Sequence, residues 1–327
     1  MKHTRRRQGL DRRRWLCAAG AAALAAALPL RAQPSAAVGA LDLDWHDDSR
    51  QRAVPVRLYL PQAAAPAQAL PLVVFSHGIG GSRRGYRWLG EHLASQGVAC
   101  LHVQHVGSDR QLWAGNPLAM LGRLKGAAQD GEAIARVLDL RFALDTLLAG
   151  ELAPRLDARR IIAAGHSYGA NTTLLACGAR VQRAGQMVDL HDERLRAAIV
   201  ISAPPFYGEP ELKRVLHGVR VPSLHVTATE DVIRIPGLYS GAADRLAVFD
   251  AIGSTRKWLA VFEGGSHSMF TDRSGSGGMA LNAQVKQATR SLAMAFLHGV
   301  LDGDETALTA WPAQHARILA RFAEDRA

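Results

Sequence analysis

Cysteine is scarce in this 327-residue sequence. Cys17, Cys100 and Cys177 are the only three, and their spacing frames neither a zinc site nor a disulfide scaffold. Aromatic residues make up only 6% of the chain. No apolar stretch reaches the roughly 20 residues that a membrane-spanning helix needs. There is no internal repeat and no long linker, which excludes solenoids and arrays. A sustained charge of one sign is also missing. The formal net charge of +10 misleads, because eight of the 39 Lys and Arg lie in the first 32 residues against one of the 29 acids. The remainder balances to +3 and offers no electrostatic footprint for nucleic acid.

What the first 32 residues contain reads as an export signal. A basic segment precedes Trp15-Leu16-Cys17 and an Ala/Leu run through Leu30. Arg12-Arg13-Arg14-Trp15-Leu16 resembles the twin-arginine motif, with Asp11 where Ser or Thr is usual. Cleavage is expected after Leu30-Arg31-Ala32, which would leave a periplasmic or secreted protein with no stable membrane span. Cys100 and Cys177 lie in apolar stretches and are expected to be buried free thiols, with a pairing as the alternative.

From residue 33 onward a single domain is expected, after a Pro/Ala/Gly lead-in over 33–40. Strands are expected at Val54–Leu60, Leu72–Phe75, Val98–Val103, Arg160–Ala164, Ala197–Ile201, Ser223–Ala228 and Lys257–Phe262. Helices are expected at Tyr86–Ser95, Gly131–Leu148, Tyr168–Ala176, Ala242–Ile252 and Asn282–Leu297. Several strands are continuous apolar runs, as in a parallel sheet covered on both faces. The alternation predicts an α/β fold with a mostly parallel central sheet flanked by helices. Stretches near 105–127 and 178–194 break the alternation and read as loop insertions over the carboxyl ends of the strands, where such sheets bind ligands.

Gly165-His166-Ser167-Tyr168-Gly169 matches G-x-S-x-G between an apolar run and a helical run. That context predicts a sharp strand-to-helix turn that lifts Ser167 above the sheet at the amino end of a helix. A serine hydroxyl needs a histidine to take its proton, and the histidine needs a carboxylate to fix its tautomer. On this fold the order is serine, acid, histidine. His267, in Gly264-Gly265-Ser266-His267-Ser268, follows a strand directly and is the expected base. Asp231 is the expected acid, with Glu230 as the alternative. His298 and His315 lie in helical stretches and read as surface or packing residues. The adjacent His166 reads as a packed, hydrogen-bonded histidine and His77 as a loop brace. Ser76-His77-Gly78-Ile79-Gly80-Gly81 follows an early strand and is the expected oxyanion loop. The backbone N–H groups of Ile79 and Tyr168 are the expected donors. Trp113, Met120, Phe206, Tyr207, Met269 and Phe270 fall near strand ends and are candidates to line an apolar substrate pocket.

Residues Pro71–Val106, together with His105-Val106-Gly107-Ser108-Asp109 and the two motifs above, resemble the predicted dienelactone-hydrolase group of α/β-hydrolases and their relatives, the platelet-activating-factor acetylhydrolases. The likeness extends over most of residues 54–300. It implies an α/β-hydrolase fold, hydrolysis of a carboxylic ester, and no metal or organic cofactor. The chain departs from the dienelactone hydrolases in having Ser167 where they have cysteine. It departs from the acetylhydrolases in having Ser202-Ala203-Pro204-Pro205, with no acid, after the strand ending at Ile201. The expected substrate is a small or lipid-like ester. Alternatives on the same scaffold are an acyltransferase, an amidase or a non-catalytic binding protein.

Overall fold

A computed structural model of the protein describes residues 37–62, 69–183, 185–235, 238–272 and 278–326. These all belong to one compact unit, Ala36–Ala327. The export segment expected over residues 1–32 lies outside the described residues.

In chain order the elements are β1 (Val38–Asp47), β2 (Arg52–Pro61), β3 (Leu70–Ser76), α1 (Arg87–Ser95), β4 (Ala99–Val103), α2 (Pro117–Ala127), α3 (Asp130–Ala149), β5 (Leu156–His166) and α4 (Tyr168–Ala176). There follow β6 (Arg180–Arg183), β7 (Gln186–Asp189), β8 (Leu195–Ile201), α5 (Leu212–Leu216), β9 (Ser223–Glu230), β10 (Ile233–Ile235), β11 (Leu238–Ser240) and α6 (Ala242–Ala251). The chain closes with β12 (Arg256–Ser266), α7 (Met279–Leu301), α8 (Thr306–His315) and β13 (Leu319–Arg326).

Nine strands form one sheet in the order β1-β2-β4-β3-β5-β8-β9-β12-β13. The run from β4 to β12 is parallel, and antiparallel strands close both edges. The apolar runs divide between two cores by strand alternation. Val74, Ile161 and Ala163 face one core with Val137, Leu140 and Leu144 of α3 and Leu174 of α4. Val73, Phe75, Ile162 and Ala164 face the other with Leu89 and Leu93 of α1 and Leu292 and Phe296 of α7. This is the α/β-hydrolase arrangement: a mostly parallel sheet with helices on both faces.

The structure corrects the reading in four places. The stretch 105–127 contains a 3-10 turn at Arg110–Trp113 and then α2, capped by Asn116 and begun by Pro117. Gly122 and Gly126 weaken the helical pattern there and hide it. The stretch 178–194 contains the β6–β7 hairpin. The lead-in ends earlier than expected, because Val38–Ala40 already pair with β2. The carboxyl end adds α8 and the edge strand β13. Cys100 and Cys177 are buried and free, and burial pushes both thiols up.

Candidate active site

Ser167 sits between β5 and α4 with φ 57° and ψ −123°. A side-chain-bearing residue rarely adopts this conformation, which typically costs about 1–3 kcal/mol. The flanking glycines explain how the turn closes. A Cβ on Gly165 would lie 2.1 Å from the Gly169 carbonyl oxygen, and one on Gly169 would lie 1.9 Å from that of Ser76. No larger residue fits either place. The Ser167 N–H donates to Ile201 O at 2.9 Å, which ties the turn to β8.

Three expected side chains meet here. Ser167 Oγ lies 2.8 Å from His267 Nε2, and His267 Nδ1 lies 2.7 Å from Asp231 Oδ1. His267 opens a 3-10 turn directly after β12, and Asp231 directly follows β9, the parallel neighbour of β12. Asp231 is fully buried. Its other oxygen accepts from Thr227 Oγ1 at 2.7 Å, and Arg245 Nη2 approaches Oδ1 at 3.4 Å. Burial raises the Asp231 carboxyl pKa, but the hydrogen bond from His267 and the charges of His267 and Arg245 outweigh it. The carboxyl is held well below the usual range. Glu230, the alternative acid, is exposed and stays on the strand opposite Ser266.

The loop over 76–81, expected to supply an oxyanion donor, runs against the serine. A Cβ on Gly78 would touch Ser167 Cβ at 3.2 Å. Ile79, half-buried, borders the same space as Ser167 and Tyr168. A hydrogen-bond chain fixes this loop relative to the histidine. The buried Arg136 guanidinium donates to His77 O, and the Gly78 N–H donates to Tyr86 Oη at 3.3 Å. Tyr86 Oη then meets His166 Nδ1 at 2.8 Å, and His166 Nε2 meets His267 O at 3.1 Å. Burial first, and the nearby His267 second, hold His166 neutral by pushing its pKa well below the ordinary value. Neutral His166 therefore accepts from Tyr86 and donates to His267 O. It also stacks on the His267 ring at 4.7 Å.

Arg136, Tyr86 and Asn171 carried no signal in the sequence that set them apart. Arg136 also donates to Thr172 Oγ1 and Ser108 Oγ, and lies 4.4 Å over the Tyr168 ring. The segment 105–109 supports the loop from the other side. Its His105 N–H donates to His77 Nε2 at 3.1 Å, and its Ser108 O accepts from Gly80 N at 2.8 Å. His77 thus braces the loop from within it.

Two cavities open at Ser167. Phe206 and Tyr207 line one, and Trp113 lines the other, where its Nε1 donates to Gly80 O. Met269 and Phe270, expected in the pocket, line neither cavity. The turn that presents His267 points them inward, and both are wholly buried in the core against α7. Met120 packs with Leu112 and Leu124. His298 and His315 contact Asp302 and Ser291.

The family model of platelet-activating factor acetylhydrolase, isoform II, matches residues 36–112, the portion that includes β3 and the loop over 76–81. No curated protein matches by sequence. The ferulic acid esterase from Streptomyces cinnamoneus superposes with a TM-score of 0.62 at 24% identity, over 90% of this chain and 97% of its own. A cold-adapted esterase from an Arctic intertidal metagenomic library superposes with a TM-score of 0.51 at 20% identity, over 71% of this chain and 86% of its own. The chain has the α/β-hydrolase fold, and its residues 36–112 resemble platelet-activating factor acetylhydrolase, isoform II.

Proposed function

We propose that the chain is an exported serine hydrolase that cleaves carboxylic esters through Ser167, His267 and Asp231. The observation that carries this reading is the unbroken contact from Ser167 Oγ through both ring nitrogens of His267 to the buried Asp231. Export rests on the twin-arginine-like segment of the sequence.

The chemistry follows from the contacts. His267 Nε2 takes the hydroxyl proton as Ser167 Oγ attacks the ester carbon. Asp231 holds the Nδ1 proton and stabilises the imidazolium. The carbonyl oxygen becomes an oxyanion facing the N–H groups of Ile79 and Tyr168. Loss of one such donor typically costs about 2.7–4 kcal/mol of transition-state stabilisation. The tetrahedral adduct collapses, and the departing alcohol takes the proton from His267 Nε2. A water molecule, deprotonated by the same nitrogen, then attacks the acyl-enzyme. The acid is released and Ser167 regains its proton.

The Streptomyces relative makes methyl ferulate one substrate worth including beside straight-chain esters. Hydrolysis of a panel of p-nitrophenyl acyl esters and methyl ferulate, lost in Ser167→Ala, is the expected outcome. No hydrolysis of any ester by the wild-type protein would overturn the reading and favour a binding protein on this scaffold.

A further inference from the structure

Most N–H groups of the loop over 78–81 are used inside the protein. Gly78 N donates to Tyr86 Oη at 3.3 Å, Gly80 N to Ser108 O at 2.8 Å and Gly81 N to Gly78 O at 3.0 Å. The Ile79 N–H donates to no group among the described residues. Its direction is set by the carbonyl of its own peptide, Gly78 O, which accepts from Gly81 N and meets His77 Nδ1 at 2.7 Å. Burial holds His77 neutral, and its Nε2 already accepts from His105 N–H, so the ring proton sits on Nδ1 and is donated to Gly78 O. A trans peptide points its N–H opposite to its C=O. Holding Gly78 O on one side therefore fixes the Ile79 N–H on the other.

The preceding peptide is held from both ends, at His77 O by Arg136 and at Gly78 N by Tyr86. Tyr86 is buried and reaches Gly78 from a left-handed backbone, φ 58° and ψ 30°, which residues with a side chain rarely adopt. Its hydroxyl accepts from Gly78 N–H and donates to His166 Nδ1 at 2.8 Å, and His166 Nε2 donates to His267 O at 3.1 Å. The donors all point one way, from Gly78 through Tyr86 and His166 to His267. In a buried setting each such bond polarises the next. Neither Tyr86 nor His166 takes or gives a proton in the reaction proposed above. Together they join the loop that carries the Ile79 N–H to the backbone that carries the base.

We propose that Tyr86 and His166 are a positioning pair that holds the Ile79 oxyanion donor and the His267 base in register with each other. Losing either member loosens the same link, so the two act as a unit. This rests on the esterase reading, and the experiment separates the two.

The test measures kcat and KM on one p-nitrophenyl ester for the wild-type protein, Tyr86→Phe, His166→Phe and the double variant, with thermal unfolding of each. Tyr86→Phe removes only the hydroxyl, and His166→Phe keeps a ring against His267 without its nitrogens. Each single substitution is expected to lower kcat by about 10–100-fold with KM within about twofold. The double variant is expected to lose no more than the larger single loss, the sign of one shared link. The affinity of Tyr86→Phe for a trifluoromethyl ketone, which forms an oxyanion adduct on the serine, should fall by the same factor as its kcat/KM. If His166→Phe does not fold, Tyr86→Phe decides alone through kcat and the ketone. Losses that multiply in the double variant, a loss carried by KM, or a Tyr86→Phe enzyme with full kcat and full ketone affinity would overturn the inference while leaving the esterase reading intact. No hydrolysis of any ester by the wild-type protein would overturn both.

Discussion

The molecule holds two Ser–His–Asp arrays with the same connectivity. In one, Asp231 meets His267 Nδ1 and His267 Nε2 meets Ser167 Oγ. In the other, Asp139 meets His105 Nδ1 and His105 Nε2 meets Ser76 Oγ, both at 3.1 Å. Their surroundings separate them. Ser167 is held in a left-handed conformation at the mouth of two cavities, and the His267 side chain is 19% exposed. Ser76 belongs to the regular strand β3, and all three members of its array are wholly buried. Asp139 is also held by Arg50 at 2.9 Å and Arg52 at 2.8 Å. Burial first, and the charge of Arg136 second, push His105 down to about 3, so it cannot take a proton near neutral pH. Hydrogen-bond order alone does not make a nucleophile. Access, backbone strain and room for a second charge do. The inner array instead anchors β3, α3 and the 105–109 turn, which support the loop over 76–81.

Substitutions break this comparison in order of effect. Ser167→Ala is expected to lower kcat on a cleavable ester by about 10⁶-fold, the scale set by other hydrolases of this kind. Ser76→Ala should retain most of the activity. Asp231→Asn should cost about 10⁴-fold in kcat by leaving His267 in the wrong tautomer. The exposed Glu230→Gln should stay within about twofold. Steady-state kinetics on one ester measures all four. Asp139→Asn should act on stability instead. It weakens the pairing of the half-buried Arg50 and Arg52, which keep Asp47 and Glu132, and disturbs the buried contact to His105, which costs about 1–3 kcal/mol, visible in denaturant unfolding. Its remaining folded fraction should keep its kcat.

Arg136→Met sharpens the contrast from the side of the oxyanion loop. Without the guanidinium, the His77 carbonyl loses its donor and the Tyr168 ring loses its cationic neighbour. A small displacement of the two oxyanion donors is expected to lower kcat by about 10–100-fold with KM nearly constant. Arg136→Lys should restore little, because one ammonium cannot reach His77, Ser108 and Thr172 in a fork. An equal effect on kcat and KM, or full rescue by lysine, would deny the positioning role.

Stability should also depend on pH. His102, His105 and His225 are buried and pushed down to about 3, chiefly by burial. In the unfolded chain each titrates near its ordinary value of 6.5. The unfolded state therefore binds protons first as pH falls. The stability these residues contribute is complete above about 6.5 and is lost progressively toward 3. Each adds at most about 1.4 kcal/mol per pH unit to that slope. Thermal unfolding between pH 7 and pH 4 should show a falling Tm, and His105→Gln should make the fall shallower.

Much of the fold was legible in the sequence because buried parallel strands leave continuous apolar runs such as Leu72–Phe75 and Ile161–Ala164. The G-x-S-x-G turn and the order serine, acid, histidine directed attention to the three side chains that now lie in contact. Other features left no local trace. Glycines disguise α2, and the edge strands β1 and β13 are half polar. Ser76, His105 and Asp139 come from three separate elements, so only the folded chain brings them together. Nothing in Tyr168–Ala176 foretells that Asn171, rather than the neighbouring Thr172 or Thr173, borders the cavity lined by Phe206 and Tyr207. Met269 and Phe270 misled for the opposite reason: proximity to His267 in sequence did not decide which way a one-turn helix points its side chains.

The difference between the two arrays is tested most directly by covalent labelling. The wild-type protein would be treated with a fluorophosphonate probe at neutral pH, followed by intact mass measurement and peptide mapping. One adduct per chain, on Ser167, still formed in Ser76→Ala and absent in Ser167→Ala, is the predicted result. No adduct on the folded wild-type protein, or an adduct on a serine other than Ser167, would contradict the assignment of Ser167 as the nucleophile.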